Sequence, residues 1–253
     1  MTDRYVIINA DDLGISRQVN DATFRLIDKG IVTSATIIAN APDTEDACLR
    51  AKAFPECSFG VHMNVTQIKP MTSPAKLEQL LDSDGCFVDE KVRQVSIDST
   101  LADGIFDEFC AQIEKLQSLG IKLSHIDSHH HVHTIPRLFP VLKKVQRRFQ
   151  IRKVRISRNI YASHEIVSRK LLLKKALFNL LLRRYYKTRT TQGFTDFKAF
   201  VEYGTTKNMT HGCVEAMVHL GADGYEDESE LLETPWRDSL GSPITTIGYH
   251  DLP

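Results

Sequence analysis

The stretch Tyr5-Val6-Ile7-Ile8-Asn9-Ala10-Asp11-Asp12-Leu13-Gly14 decides the fold. Its β-branched residues read as a buried strand over 5–9, and the strand breaks into two adjacent acids and a glycine, the composition of a turn. The residues after this turn have helical spacing. Ser16 stands as an N-cap for a helix over 17–29, with apolar positions at Val19, Ala22, Phe24, Leu26 and Ile27 and Gly30 as its stop. Strand, acidic turn and helix in that order make the first unit of an α/β chain.

Working outward, the alternation continues. Residues 33–39 and 58–65 read as strands, with a helix over 44–54 between them that Pro55 ends. Residues 66–99, holding Pro70, Pro74 and Gly85, read as a long loop with short helical pieces. A helix over 101–119 stops at Gly120, and a strand (122–127), a helix (136–149) and a strand (153–156) come next. Residues 213–219 and 244–249 are late strand candidates. Such alternation predicts a parallel sheet, and a deformed (β/α) barrel is preferred over an open doubly wound sheet. No GxGxxG follows the first strand, which argues against a dinucleotide site. Without internal repeats or a Pro/Gly/Ser linker, a single domain over 1–253 is expected.

Composition agrees with a folded enzyme-sized domain. Of 253 residues, 42% are hydrophobic and 25% charged, enough for an ordinary core. Lys plus Arg and Asp plus Glu are equal at 32 each, so bulk electrostatic binding to nucleic acid is not expected. The opening MTDRYVIINADD lacks a signal-peptide layout, and no stretch approaches the ~18–20 apolar residues that stable membrane insertion needs. Five scattered cysteines with no CxxC pair fit reduced thiols, so a cytoplasmic location is expected.

Four segments carry chemistry. Asp11 and Asp12 lie at the carboxyl end of the first strand, where parallel folds assemble active sites. One acid can bind a cation while the other stays free as a base; the plainer reading is a turn and helix cap. His62 lies near the end of the third strand, in a position that a structural hydrogen-bonding histidine also fills. The segment HIDSHHHVH, residues 125–133, has five histidines in nine residues. In an extended segment His129, His131 and His133 would share one face, in a helix His129 and His133, so two or three at most reach one ion. His219 ends a strand in EAMVHLG and could protonate a leaving group. An Asp-His-His set leaves coordination positions open for water and a substrate oxygen. With Asp11 taking the proton from water and His219 protonating a departing amine, the set describes metal-assisted amide hydrolysis.

The chain resembles the YdjC-like carbohydrate deacetylases, a family that includes chitooligosaccharide deacetylases. The resembling segments are NADDLG (9–14), GIVTSATIIAN (30–40), GVHMNVT (60–66), HIDSHHHVHTIP (125–136), RTTQGF (189–194) and EAMVHLG (215–221). They fall in the family order over nearly the whole chain. The resemblance implies a deformed (β/α) barrel of the polysaccharide-deacetylase type. It implies a divalent metal held by Asp12, His62 and His129, with His133 as the alternative ligand, Asp11 as base and His219 as acid. The implied substrates are N-acetylated amino sugars or short oligosaccharides. Mg²⁺ and Zn²⁺ both suit such a mixed N/O set. Two departures stand out: Leu220 follows His219 where the family often has proline, and residues 161–188 form an apparent helical insertion.

That insertion reads as a basic amphipathic helix over 164–186. It could lie on an anionic membrane, but the plainer reading buries its apolar face on the barrel or on a second subunit, compatible with a homodimer. Arg155 and Arg189 are candidates for substrate contact, Arg155 also for orienting Asp11. Two rival functions remain: a metal-dependent phosphoesterase or amidohydrolase, and a non-catalytic sugar-binding barrel. Phosphatase activity without deacetylation would mark the first, and binding without turnover the second.

Overall fold

The first strand, β1 (Arg4–Leu13), runs past the apolar residues that announced it and carries Asp11 and Asp12 within it. Up to Ala10 it alternates as a strand should. Val6, Ile8 and Ala10 pack in the main core under the helices, while Ile7 turns the other way, against Cys213, Tyr249 and Leu252. The computed structural model describes residues 4–206, 212–240 and 243–252. The other residues taken in by the single-domain expectation over 1–253 lie outside the described ones.

The remaining elements run in βα order. Helix α1 (Arg17–Asp28) begins where the sequence placed it, and the Ser16 hydroxyl accepts from the Val19 amide at 3.2 Å. Then come β2 (Ser34–Ile37), α2 (Thr44–Ala51) and β3 (Ser58–Met63). Two 3₁₀ turns and the short α3 (Asp89–Gln94) occupy the long loop. Helix α4 (Ser99–Ser118), capped by Asp98, leads to β4 (Ile126–Ser128). Beyond it lie α5 (Phe139–Phe149), α6 (Arg169–Arg184), β5 (Gly193–Asp196) and α7 (Phe197–Thr206). Strand β6 (Gly212–Val218), α8 (Glu226–Glu233) and the two-residue β7 (Thr245–Thr246) complete the chain.

The sheet is parallel, in the order β4-β3-β2-β1-β6-β5, and curls into a deformed barrel. Between its edge strands β4 and β5 the wall narrows to isolated bridges, Ile126 with Val154 and Lys153 with Arg189. The strand expected over 153–156 is therefore reduced to these bridges. Within it, the Arg155 amide still donates to the Ile126 carbonyl at 3.1 Å, while its side chain turns into the interior. The strand expected over 244–249 shrinks to β7, which pairs with Tyr5 and Val6. That slot beside β1 is open because the pairing of β2 starts only at Asn9.

Gly60 in β3 is dictated by packing. A Cβ there would lie 2.5 Å from the His125 ring, which is buried and stacked on Tyr249 at 3.6 Å. Helix α6 buries only Phe178, Asn179 and Leu182, so the expected apolar face on the barrel is narrow. No helix among the described residues is long and apolar enough to cross a membrane. All five cysteines are free thiols, and burial pushes those of Cys57 and Cys213 up to about 12.

Candidate active site

Adjacent residues of a strand point to opposite faces, so Asp11 and Asp12 should not both enter the barrel. A bulge makes it possible. Ala10 pairs with Ala35 and Leu13 with Ile37, so two residues of β1 stand opposite one of β2. Asp12 takes φ +64°, a left-handed conformation costly for a residue with a side chain. The bulge turns its carboxylate toward the same group of side chains that Asp11 faces.

His62 meets Asp12 from β3. Its Nε2 lies 3.1 Å from Asp12 Oδ1, and its Nδ1 donates to Asp127 Oδ1 at 2.7 Å. Asp127 is its register partner on β4, so the sheet itself sets this contact. A carboxylate behind an imidazole fixes the tautomer and turns the other nitrogen outward. Thr36 from β2 donates to Asp127 Oδ2 at 3.0 Å and receives the Asn9 side-chain amide at 3.2 Å.

Immediately after β4 the histidine run forms a tight turn. His130 and His131 have φ of +49° and +57°, two left-handed residues in succession. Each imidazole therefore goes its own way. His129 Nδ1 reaches Asp12 Oδ1 at 2.7 Å, and His130 Nδ1 lies 3.0 Å from the Thr66 hydroxyl. His131 stands edge-on to Phe194, and burial drives it down to about 3. His133 is enclosed between the Ser128 hydroxyl and the Arg155 carbonyl.

Behind the group sits Arg155, fully buried. Its terminal nitrogens donate to both oxygens of Asp11 at 2.6 Å each, and it also pairs with Asp127 at 2.9 Å and Glu215 at 2.7 Å. Burial alone would raise the Asp11 carboxyl; the Arg155 guanidinium holds it well below the usual carboxylate range. Burial likewise opposes Asp12, whose hydrogen bonds from His129 and His62 keep it low. For His62, burial works downward, but the Asp127 and Asp12 carboxylates carry it up to about 10. Glu215 is pushed up to about 7 by burial in spite of Arg155, and it accepts from the Tyr249 hydroxyl.

His219 comes directly after β6. The pairing of β1 with β6 runs as far as Ala10 with Val218, so His219 follows at the same strand end as Asp11 and is near enough to favour its charged form. It is half-buried against Tyr225, with ring centroids 4.6 Å apart, and its backbone amide donates to Glu228 at 2.6 Å. The chain then turns at Gly221, φ +71°, where a Cβ would come within 2.7 Å of the Gln18 carbonyl.

Asp12, His62 and His129 offer donor atoms within 4.8 Å of one another, an N/O set of the kind that holds a divalent cation. Two further observations fit one. The Nε2 of His129 is buried without a hydrogen-bond partner. Three buried carboxylates, Asp11, Asp127 and Glu215, also share the single guanidinium of Arg155, while Asp12 meets the imidazoles of His62 and His129 and leaves an acidic oxygen at the mouth of the group.

The model of the family described as YdjC-like protein matches residues 5–240. The chain belongs to the YdjC-like family. A carbohydrate deacetylase of Geobacillus stearothermophilus is 40% identical over 157 residues, 61% of this chain and 62% of that one. One from Vibrio cholerae is 34% identical over 146 residues, 58% and 56% of the two chains. The match thus spans about three fifths of the length of these curated relatives. A third, from Thermoanaerobacter pseudethanolicus, is 28% identical over 211 residues, 82% of this chain and 80% of that one. A crystal structure from Enterococcus faecalis V583, of a candidate cellobiose-phosphate cleavage protein, shares the fold. It overlays with a TM-score of 0.80 across 99% of both chains at 23% identity.

In this YdjC-like chain Asp11, Asp12, His62 and His129 lie together, with His219 alongside Asp11. His133 does not join them, since both its ring nitrogens are engaged elsewhere. Arg155, a candidate for substrate contact, is sealed behind Asp11 and can only orient it. Arg189 is not brought to the site. It is exposed and lines a groove of about 440 Å³ with Gln117, Lys122 and Arg152, on the side where the strands begin. Asp127, Glu215 and Thr36 carried no assigned role in the sequence, yet Asp127 was findable. His62 and Asp127 lie near the ends of neighbouring strands in a parallel sheet, and they meet in register.

Proposed function

We propose that the protein is a metal-dependent carbohydrate N-deacetylase, removing acetyl groups from amino sugars or short oligosaccharides. One observation carries the reading: a carboxylate, Asp11, is clamped in its charged form beside an Asp-His-His group, with a histidine, His219, at the end of the neighbouring strand. The curated relatives named carbohydrate deacetylases support the substrate class.

Asp12, His62 and His129 would hold one divalent cation, Mg²⁺ or Zn²⁺. Such an ion supplies Lewis acidity, making a water more acidic and polarising a carbonyl oxygen. The chain's own residues do the rest. Arg155 keeps Asp11 charged and immobile, so its carboxylate is in place to take a proton from the attacking water. Water oxygen bonds to the acetamide carbon, the C–N bond breaks, and His219 gives the departing amine its proton. Asp127 holds His62 in one tautomer throughout.

The test is acetate release from N-acetylglucosamine oligomers, comparing EDTA-treated enzyme with enzyme given back Mg²⁺ or Zn²⁺. Release restored by the ion supports the reading. No release from any glycan, with the ion bound by calorimetry, would sink it and turn attention to phosphoesters.

A further inference from the structure

The outer face of α6 keeps an ordered row of leucines in water. Leu173, Leu177 and Leu180 recur at i, i+4 and i+7 and are 72%, 57% and 56% exposed. Ile166 stands fully exposed ahead of the helix, and Tyr185 is half-exposed after it. The row points away from Phe178, Asn179 and Leu182, which pack inward. Leucines scattered singly on a surface need no explanation, but an aligned row does.

Charge indicates what covers it. The chain as a whole is neutral, yet residues 166–195 contain no Asp or Glu. Within α6 the basic residues are Arg169, Lys170, Lys174, Lys175, Arg183 and Arg184. Lys175 bonds the Tyr161 hydroxyl and Arg183 bonds Thr190 and Thr191, which leaves Arg169, Lys170, Lys174 and Arg184 exposed around the leucines. A second copy of the same helix would bring these like charges face to face. An anionic lipid surface complements both features: acyl chains accept the leucines, and headgroup phosphates accept the cations. An amphipathic Tyr185 at the helix end suits the headgroup level.

We propose that α6 docks the protein side-on and reversibly to an anionic membrane surface. A row of apolar side chains and a polybasic rim are two signals together, which stable peripheral attachment requires. The helix is also fixed to the barrel. Asn179 accepts from the Ser157 amide at 2.8 Å and donates to the Ser157 carbonyl at 3.1 Å, two residues beyond Arg155. Docking through the opposite face leaves that anchorage untouched.

The experiment is co-sedimentation of the full chain with phosphatidylcholine vesicles, with and without phosphatidylglycerol. Binding is expected only with phosphatidylglycerol and should weaken as salt rises. Two variants, one carrying Leu173→Ser, Leu177→Ser and Leu180→Ser and the other Lys170→Glu and Lys174→Glu, should each lower partitioning by about tenfold or more. Their melting curves should remain those of the parent, because every altered side chain is exposed. Absence of binding to anionic vesicles, or binding undiminished in both variants, overturns the proposal. A dimer in sedimentation velocity that the leucine variant abolishes, without vesicle binding, assigns the face to a second copy instead.

Discussion

Arg155 holds Asp11 through two parallel hydrogen bonds of 2.6 Å each, and both side chains are buried. The pair is the hinge of the site's electrostatics, because the same guanidinium also neutralises Asp127 and Glu215. Removing it would strand three buried carboxylates. Arg155→Met should therefore destabilise the fold by about 3–5 kcal/mol in urea denaturation. Arg155→Lys should recover only part of this, since an ammonium cannot bridge both oxygens of Asp11 while meeting two other acids.

Asp11→Asn separates holding an ion from using it. Calorimetry should show cation affinity within a few-fold of the parent, because Asp12, His62 and His129 are unchanged. Turnover of N-acetylglucosamine oligomers should fall by on the order of 10²–10⁴-fold, the usual contribution of a positioned base. Near-parental turnover would remove Asp11 from the proposed mechanism.

The two histidines at the ends of the run should part company. His129→Ala is expected to abolish cation binding and activity together. His133→Ala should keep cation binding and lose roughly 1–3 kcal/mol of stability, since Ser128 and the Arg155 carbonyl lose a buried partner. Cation binding lost in His133→Ala but kept in His129→Ala would reverse the ligand assignment.

Glu215 gives a pH signature. Its folded carboxyl lies near 7 because of burial, against an ordinary 4.5. The native state thus keeps a proton that the unfolded chain releases between those values. The contribution to stability is complete below about 4.5 and declines as pH rises to about 7, by roughly 3 kcal/mol. Comparing the urea stability of metal-free parent and Glu215→Gln across pH 4–8 isolates it. The difference between the two should shift in that window, and a constant difference would show that Glu215 does not titrate there.

Much of this was legible in the sequence because strand ends are where parallel folds concentrate chemistry. The apolar run before Asp11, the N-cap at Ser16 and the histidines after β4 were all local signals. The features that the sequence did not disclose depend on register or on backbone handedness. The role of Asp127 comes from lying beside His62 across two strands 65 residues apart. Arg155 was visible only as one arginine among many, and its commitment to three acids emerges when β1, β4 and β6 converge. The short β5, α7 and α8 went unread because their patterns are brief. Arg189 was drawn toward the site by its neighbouring motif, although the chain places it where the strands begin.

The succession of left-handed residues at His130 and His131 bears on how this chain can diversify. At both positions the backbone angle is harder to replace than the imidazole. Glycine, asparagine or aspartate can adopt that angle, whereas a β-branched side chain would force the turn open and swing His129 away from Asp12. Drift among descendants of this sequence should accordingly run toward small, turn-forming residues at 130 and 131. Histidine count in this segment is then a poor guide to whether a relative can still hold an ion; the handedness of two peptide units is the better one.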